Sequence, residues 1–444
     1  MKNTDKKIYL LYFFLLPFAK LFRLDEIIGT KYMFVNISTF VMLYGVARLV
    51  FSSYLPSFEH MKKWWHLYMF TTIYSVIMAC VFFSLGTVAG KTTFDCIPRS
   101  IVLNFLAILS IYYNSIAFSR FIRLDDLIPV IKKQNYILLV LGYIQFGMLH
   151  GVSGCAQLND TLASIFSICK SDYLILGDRG ITLFGSEPSS IGLLMIVTIP
   201  FILSIDIKEK KWISTILWSI LFLSSGSSQA LVMFSIGLTV ALFIRYKGRV
   251  LKIFYIMSFG LGTFMAFFYT FGIDVTKEFT NDGSLSYMLY GKLVDVNNHS
   301  TCTRVSSIIN DILIFKDYPL TGVGDGIQGF FFRENTPLWC YGAEEVQRFL
   351  TGKAVASGGG NFFASYISAY GILGILLLIL FTKKYLRDRT LLLGQCDNIV
   401  IHASSIGLIV FLATGWYTVS FFNNEYVPLM LSLPYLGLSA YKKL

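Results

Sequence analysis

Thr303-Arg-Val-Ser-Ser-Ile-Ile-Asn-Asp-Ile-Leu-Ile-Phe-Lys316 and, shortly after it, Pro319-Leu-Thr-Gly-Val-Gly-Asp-Gly326 lie in the one long polar segment of this chain, Phe271 to Gly360. That segment also carries His299, Arg333, Glu344, Glu345 and Arg348. So many charges and turn residues do not partition into hydrocarbon, where each unsatisfied polar group is costly. Almost everything outside it is apolar runs of membrane length joined by short basic loops. The chain therefore reads as an all-α bundle of membrane helices that holds this segment over one membrane face.

Composition fixes the class. The 444 residues are 55% hydrophobic and 16% aromatic, with only 14% charged and a mean hydropathy of +0.64. Soluble domains carry about 25% charged residues. Apolar runs recur to the C-terminus, which excludes a secreted protein with a single signal peptide. We expect about twelve spans, at 8–22, 30–51, 65–87, 99–118, 134–151, 189–206, 212–226, 229–245, 252–272, 361–381, 398–415 and 427–441. The first is short and contains Pro17, which favours a tilted or broken element. Ser-Ser-Gly-Ser-Ser-Gln makes a tight hairpin between the seventh and eighth.

The net charge of +11 is a topology signal rather than a nucleic-acid footprint. Most basic residues fall in short loops on one face: Lys2, Lys6 and Lys7, then Lys62 and Lys63, then Arg120 to Lys133, Lys208 to Lys211, Arg245 to Lys252, Lys383 to Arg389, and Lys442 and Lys443. The positive-inside rule places that face and both termini in the cytoplasm. Three regions follow: spans one to nine over 1–272, including an outer polar segment 152–188; a large outer loop over 273–360; and the last three spans over 361–444. Cys96, Cys155, Cys169, Cys302 and Cys340 fall on the outer side, where Cys155 with Cys169 or Cys302 with Cys340 are possible pairs. No Cys/His cluster has zinc spacing, and no cofactor is implied.

Several outer residues carry chemistry. Glu187-Pro-Ser opens the sixth span; Pro suits the first helical turn, and Glu187 reads either as a capping acid or as a carboxylate poised at the membrane face. In 303–316, Val305, Ile308, Ile309, Ile312 and Phe315 share one helical face, with Arg304, Ser307 and Asp311 opposite. That pattern predicts an amphipathic helix lying on the bundle or at the interface, with Arg304 solvated, paired with Asp311, or functional. Gly322-Val-Gly-Asp-Gly326 lacks the βαβ setting of a nucleotide site. Gly358-Gly-Gly360 runs into a helix at Asn361 and reads as an anion-binding nest or as a hinge. Phe330, Phe331, Phe332, Trp339 and Tyr341 read as sugar-stacking or interfacial aromatics.

The order and sidedness of Arg179…Glu187-Pro-Ser, of Arg304…Pro319-Leu-Thr-Gly-Val-Gly, and of Asn361-Phe-Phe…Tyr370-Gly-Ile-Leu-Gly374 resemble the bacterial O-antigen polymerase (Wzy-type) and O-antigen ligase group. The resemblance spans the whole topology and three short motifs. It implies a GT-C-like glycosyltransferase of the bacterial inner membrane, acting at the periplasmic face in lipopolysaccharide biosynthesis. Its donor and acceptor would be undecaprenyl-pyrophosphate-linked oligosaccharides, with a Wzz-type chain-length regulator as partner. Ligases of the group place a His before the Asn that opens the helix after the large loop; here that position is Gly360, which favours the polymerase branch.

In such a reaction a sugar hydroxyl attacks an anomeric carbon and a lipid pyrophosphate leaves. The leaving group needs cationic stabilisation, which Arg supplies through a planar fork that keeps its proton. Arg179 and Arg304 are the candidates, with Lys292, Arg348 and the Asn361 nest as helpers. The hydroxyl needs a base, with Glu187 first and then His299 and Asp311. Metal-independent chemistry is expected; Asp25-Glu26 in the first outer loop is the alternative acidic site. Competing readings are an O-antigen ligase, a capsule or exopolysaccharide polymerase, and, from a different class, a lipid-linked oligosaccharide flippase, which would place charge within the bundle.

Overall fold

A computed structural model describes residues 2–18, 36–52, 62–166, 168–176, 180–185, 187–246, 299–355, 361–415 and 425–438. The expected span 252–272, Asp25-Glu26, Arg179, Lys292 and Gly358 to Gly360 lie outside them. The described residues are helical, with one isolated bridge between Val88 and Lys91. In chain order the helices are α1 (Lys2–Leu15), α2 (Ile37–Phe51), α3 (Lys62–Val81), α4 (Thr93–Arg120), α5 (Leu124–Leu149), α6 (Cys155–Ile165), α7 (Ser171–Leu176), α8 (Ser190–Leu193), α9 (Thr198–Glu209), α10 (Ile213–Leu223) and α11 (Ser228–Tyr246). After the polar segment begins come α12 (His299–Asp317), α13 (Phe332–Asn335) and α14 (Glu344–Leu350). The last are α15 (Phe362–Leu393), α16 (Asn398–Thr414) and α17 (Tyr426–Ser432).

Among the described residues four helices are long and apolar enough to cross a membrane: α4, α5, α11 from Gln229, and α15. Shorter apolar helices stand at several of the other expected spans, including α2, α10 and α16. Hydropathy does not anticipate why some are short. Residues 189–206 form two helices, α8 and α9, separated at Val197 (φ −132°, ψ −57°). The break brings the Ile196 carbonyl so close to α16 that a Cβ on Gly407 would stand 2.2 Å from it.

Ion pairs gather at one end of the bundle and knit its helices together. Lys6 on α1 meets Asp126 on α5 at 2.5 Å, and Arg48 on α2 meets Asp5 on α1 at 2.8 Å. Lys132 on α5 meets Glu209 on α9 at 2.7 Å, and Lys208 meets Asp397, the N-cap of α16, at 3.2 Å. Lys6, Arg48, Lys132 and Lys208 at this end are among the basic residues that set the expected orientation. Between the ends lies a core rich in buried aromatics, with Tyr9, Tyr12, Tyr113 and Phe118 packed across α1 and α4.

α15 is two helices end to end. Gly371 (φ 58°, ψ −158°) breaks it. The part beyond, 372–393, is about 33 Å long at 1.5 Å per residue and suffices alone for a hydrocarbon core of about 30 Å. The part before, 362–370, stands at the end away from the ion pairs. At the break the main chain of 319–324 replaces the missing helical bonds. Val323 N donates to Ser368 O at 2.9 Å and Gly324 N to Ala369 O at 2.8 Å, while Ile372 N donates to Pro319 O at 2.8 Å and Leu373 N to Leu320 O at 3.4 Å. Residues 368 and 372, and 369 and 373, are the partners an unbroken helix would join. The glycine-rich turn is thus a wedge seated in a helix break, and every backbone group it displaces is satisfied.

Candidate functional site

The wedge fixes everything around it at that end. Tyr74 Oη on α3 donates to Thr321 O at 2.6 Å, and Asp325 N donates to Ser75 Oγ at 3.1 Å. The Asp325 carboxylate accepts from Ser100 on α4. Gln328, fully buried, accepts from Gly326 N at 2.9 Å, donates to Ser365 O at 3.3 Å, and through its own carbonyl accepts from Asn310 Nδ2 at 3.1 Å. Asn335 Nδ2 in turn donates to Asn310 Oδ1 at 3.0 Å.

α12 packs on the first half of α15 through its polar stripe, not its apolar one. Ser306, Ser307, Asn310 and Asp311 are buried, whereas Ile312 is 48% exposed. This corrects the expected facing of 303–316. Periodicity shows two faces, and the buried one is the face on which Asn310 and Asp311 find partners outside the helix. Asp311 accepts from Ser368 Oγ at 2.8 Å and from Ser365 Oγ at 3.1 Å. This carboxylate ties α12 to α15. Asp311→Ala removes the acceptor that ties these two hydroxyls to α12, and a loss of roughly 1–3 kcal/mol is expected, read as a lower thermal midpoint of the detergent-solubilised chain.

Arg304 lies two turns before Asp311 on this anchored helix, half-buried, and does not pair with it. Among the described residues Arg304 makes no ion pair. The other arginines of the segment differ. Arg333 is exposed, and Arg348 pairs with Glu344 across one helical turn at 3.0 Å with both side chains in solvent, a contact worth about 0.3–0.5 kcal/mol. His299 opens α12 in the turn preceding Arg304. Asn361 is the N-cap of α15: its side chain accepts from Ala364 N at 2.9 Å and is buried, so its oxygen is committed to the helix.

Glu187 is exposed. Ser189 Oγ donates to its Oε2 at 3.5 Å, and no backbone N–H among the described residues bonds its carboxylate. It does not cap α8, whose N-cap is Ser189 without a side-chain bond, and it stays available to solvent. The preceding segment is held by a buried glutamine on α5: Gln145 Oε1 accepts from Thr182 N at 3.1 Å and Leu183 N at 2.9 Å. Leu183 takes φ 53°, a strained value for a non-glycine residue, and Gly180 sits where a Cβ would strike Ser225 O at 2.0 Å. In the same outer segment Asp160 accepts from Ser171 N at 2.7 Å and Ser171 Oγ at 2.5 Å. Burial pushes its carboxyl up, but those donors outweigh burial and hold it below the usual carboxylate range. No hydrogen bond or ion pair among the described residues joins Glu187 to Arg304.

One acid was not anticipated. Glu425, at the start of α17, accepts from Ser38 Oγ at 2.8 Å and from Thr39 Oγ1, both in the first turn of α2. It is the last acidic residue of the chain, which is the only signal the sequence offers for it. Of the aromatics, Phe331 packs edge-on against Phe82 and Tyr318, and Phe332 against Phe349. Trp339 is 47% exposed and remains open to a sugar or to the interface. Cys340 is a buried free thiol in one apolar cluster with Cys302. Among the described residues no group of three or more His, Cys, Asp or Glu side chains is placed to hold a metal. No family model matches this chain, and no curated protein is significantly similar to it.

Proposed function

We propose that this chain is a membrane glycosyltransferase that polymerises lipid-pyrophosphate-linked glycan repeats, an O-antigen polymerase of the Wzy type. The growing glycan leaves its undecaprenyl pyrophosphate and passes to a sugar hydroxyl of a new lipid-linked unit, at the periplasmic face of the bacterial inner membrane. The observation that carries this reading is Arg304: a half-buried guanidinium that pairs with no carboxylate among the described residues, on a helix whose buried Asp311 is fixed to the half-helix 362–370. A pre-oriented cation of this kind suits the negative charge that grows on a departing pyrophosphate. Arg179 and Lys292 are assigned to the same charge, and Glu187, being exposed, is the group best able to receive the hydroxyl proton. The twelve-span GT-C-like architecture, with both termini cytoplasmic, belongs to this proposal.

With arginine as the electrophilic partner, the reaction does not draw on a divalent cation. Purified protein is expected to give the same glycan ladder with and without a chelator; a ladder lost to chelator and restored by added Mg²⁺ or Mn²⁺ would shift the electrophilic role to an acidic metal site.

A second reading has its own observation. Among the described residues Glu425 has hydroxyl partners alone, and both α15 and the 190–209 segment are interrupted helices. Transporters place acids and broken helices in this way. A flippase would move lipid-linked units between leaflets without lengthening them, so a leaflet-exposure assay on defined vesicles separates the two.

A further inference from the structure

At the basic end, α5, α9 and the start of α10 enclose a cavity of about 290 Å³, at the lower edge of the roughly 300–1,000 Å³ typical of small-ligand pockets. Its wall is apolar: Ile131, Ile202, Ile205 and Ile213. Its polar floor is already satisfied. Asp206 accepts from Thr215 N at 3.0 Å and Thr215 Oγ1 at 2.7 Å, and Asn135 donates to Ser214 Oγ at 3.1 Å while accepting from Trp218 Nε1 at 2.7 Å. The capacity left for a ligand is at the rim. Lys132 and Glu209 pair at 2.7 Å, with 53% and 38% of their side chains still exposed. Lys211 is exposed and makes no ion pair among the described residues.

The apolar wall does not end at the mouth. Ile213 lines the cavity and is 69% exposed, and Ile216 and Ile220 continue its face along α10. A charged rim opening onto an exposed apolar helix face matches an amphiphile whose head is polar and whose tail runs along the helix.

We propose that this cavity binds a membrane glycerophospholipid with a phosphoethanolamine headgroup. Lys132 and Lys211 take the phosphate oxygens, Glu209 accepts from the ammonium, and the first acyl carbons lie on the isoleucine wall. The presence of both signs at one rim is what selects the class. A glycerol headgroup has no cation for Glu209, and a choline headgroup has no N–H to donate to it. The inference is independent of the glycosyltransferase reading.

The test uses the full-length chain, purified in detergent and titrated with phosphatidylethanolamine, phosphatidylglycerol or phosphatidylcholine of matched acyl chains, with bound lipid counted by native mass spectrometry. Phosphatidylethanolamine is expected to be retained in preference to the other two. Lys132→Ala/Lys211→Ala is expected to lower its occupancy about ten-fold or more, and Glu209→Gln to erase the preference over phosphatidylglycerol. Ile213→Trp, at an exposed position, closes the mouth without touching the core and is expected to lower occupancy of every lipid there. Equal retention of the three lipids by the unmodified chain would overturn the proposal. So would retention untouched by Ile213→Trp, or displacement of the lipid by soluble phosphoethanolamine at equal concentration.

Discussion

Arg304→Ala is expected to abolish the glycan ladder while the protein still inserts and folds. Removing one pre-oriented donor from a developing anion typically costs about 10²–10³ in rate, enough to leave the lipid-linked repeat unextended. Arg304→Lys is expected to recover little, because a single ammonium does not reproduce the two parallel N–H donors of guanidinium. No carboxylate among the described residues pairs with the side chain, so none of them is orphaned by the substitution. Arg348→Ala is the internal control. Its guanidinium is spent on an exposed Glu344, and the ladder is expected to persist with small change. A full-length ladder from Arg304→Ala would remove this residue from the chemistry.

Gly371→Ala and Gly322→Ala are expected to undock the segment that carries the site. Both residues take positive φ, 58° and 62°. A Cβ on Gly371 would lie 2.6 Å from the Leu320 carbonyl carbon and oxygen, and one on Gly322 would lie 2.5 Å from backbone atoms of Ser368 and Ala369. Backbone on both sides cannot swing aside as a side chain does. Strain and clash together are expected to cost roughly 2–4 kcal/mol, seen as a lower thermal midpoint and a loss of activity, since α12 hangs on the same network. The two substitutions break one docking, so their effects are expected to be less than additive when combined. Gly342→Ala, where nothing stands within 4 Å of the new Cβ, is expected to be neutral.

Much of the helical architecture was legible in composition and hydropathy, and the places it was not have physical reasons. The runs at 99–118, 134–151, 229–245 and 361–381 overlap the four described helices long enough to span. Hydropathy did not reveal that 189–206 is interrupted, because the break at Val197 sets the Ile196 carbonyl against Gly407 on a helix distant in sequence. Nor did it reveal the role of the turn Pro319 to Gly326, which has meaning only beside a helix broken at Gly371.

The candidate site was legible in part. Arg304 is legible as the cation of its helix, and it is half-buried there with no ion pair among the described residues. Asp311 was read on the same polar face, but that face turns inward, toward Ser365 and Ser368 some fifty residues away. Sequence spacing within one helix carries no information about which stripe finds such partners. Glu425 went unnoticed because an isolated acid between apolar runs looks like any loop residue until Ser38 and Thr39 are seen beside it.

The most direct test of the central claim is extension of lipid-linked repeats by the purified chain alone. Undecaprenyl-pyrophosphate-linked units are incubated with the folded protein and the glycolipids are separated by length. The account predicts a ladder of repeat multiples that is lost in Arg304→Ala. A single undiminished band of one-repeat lipid, from protein shown to be folded, would contradict it.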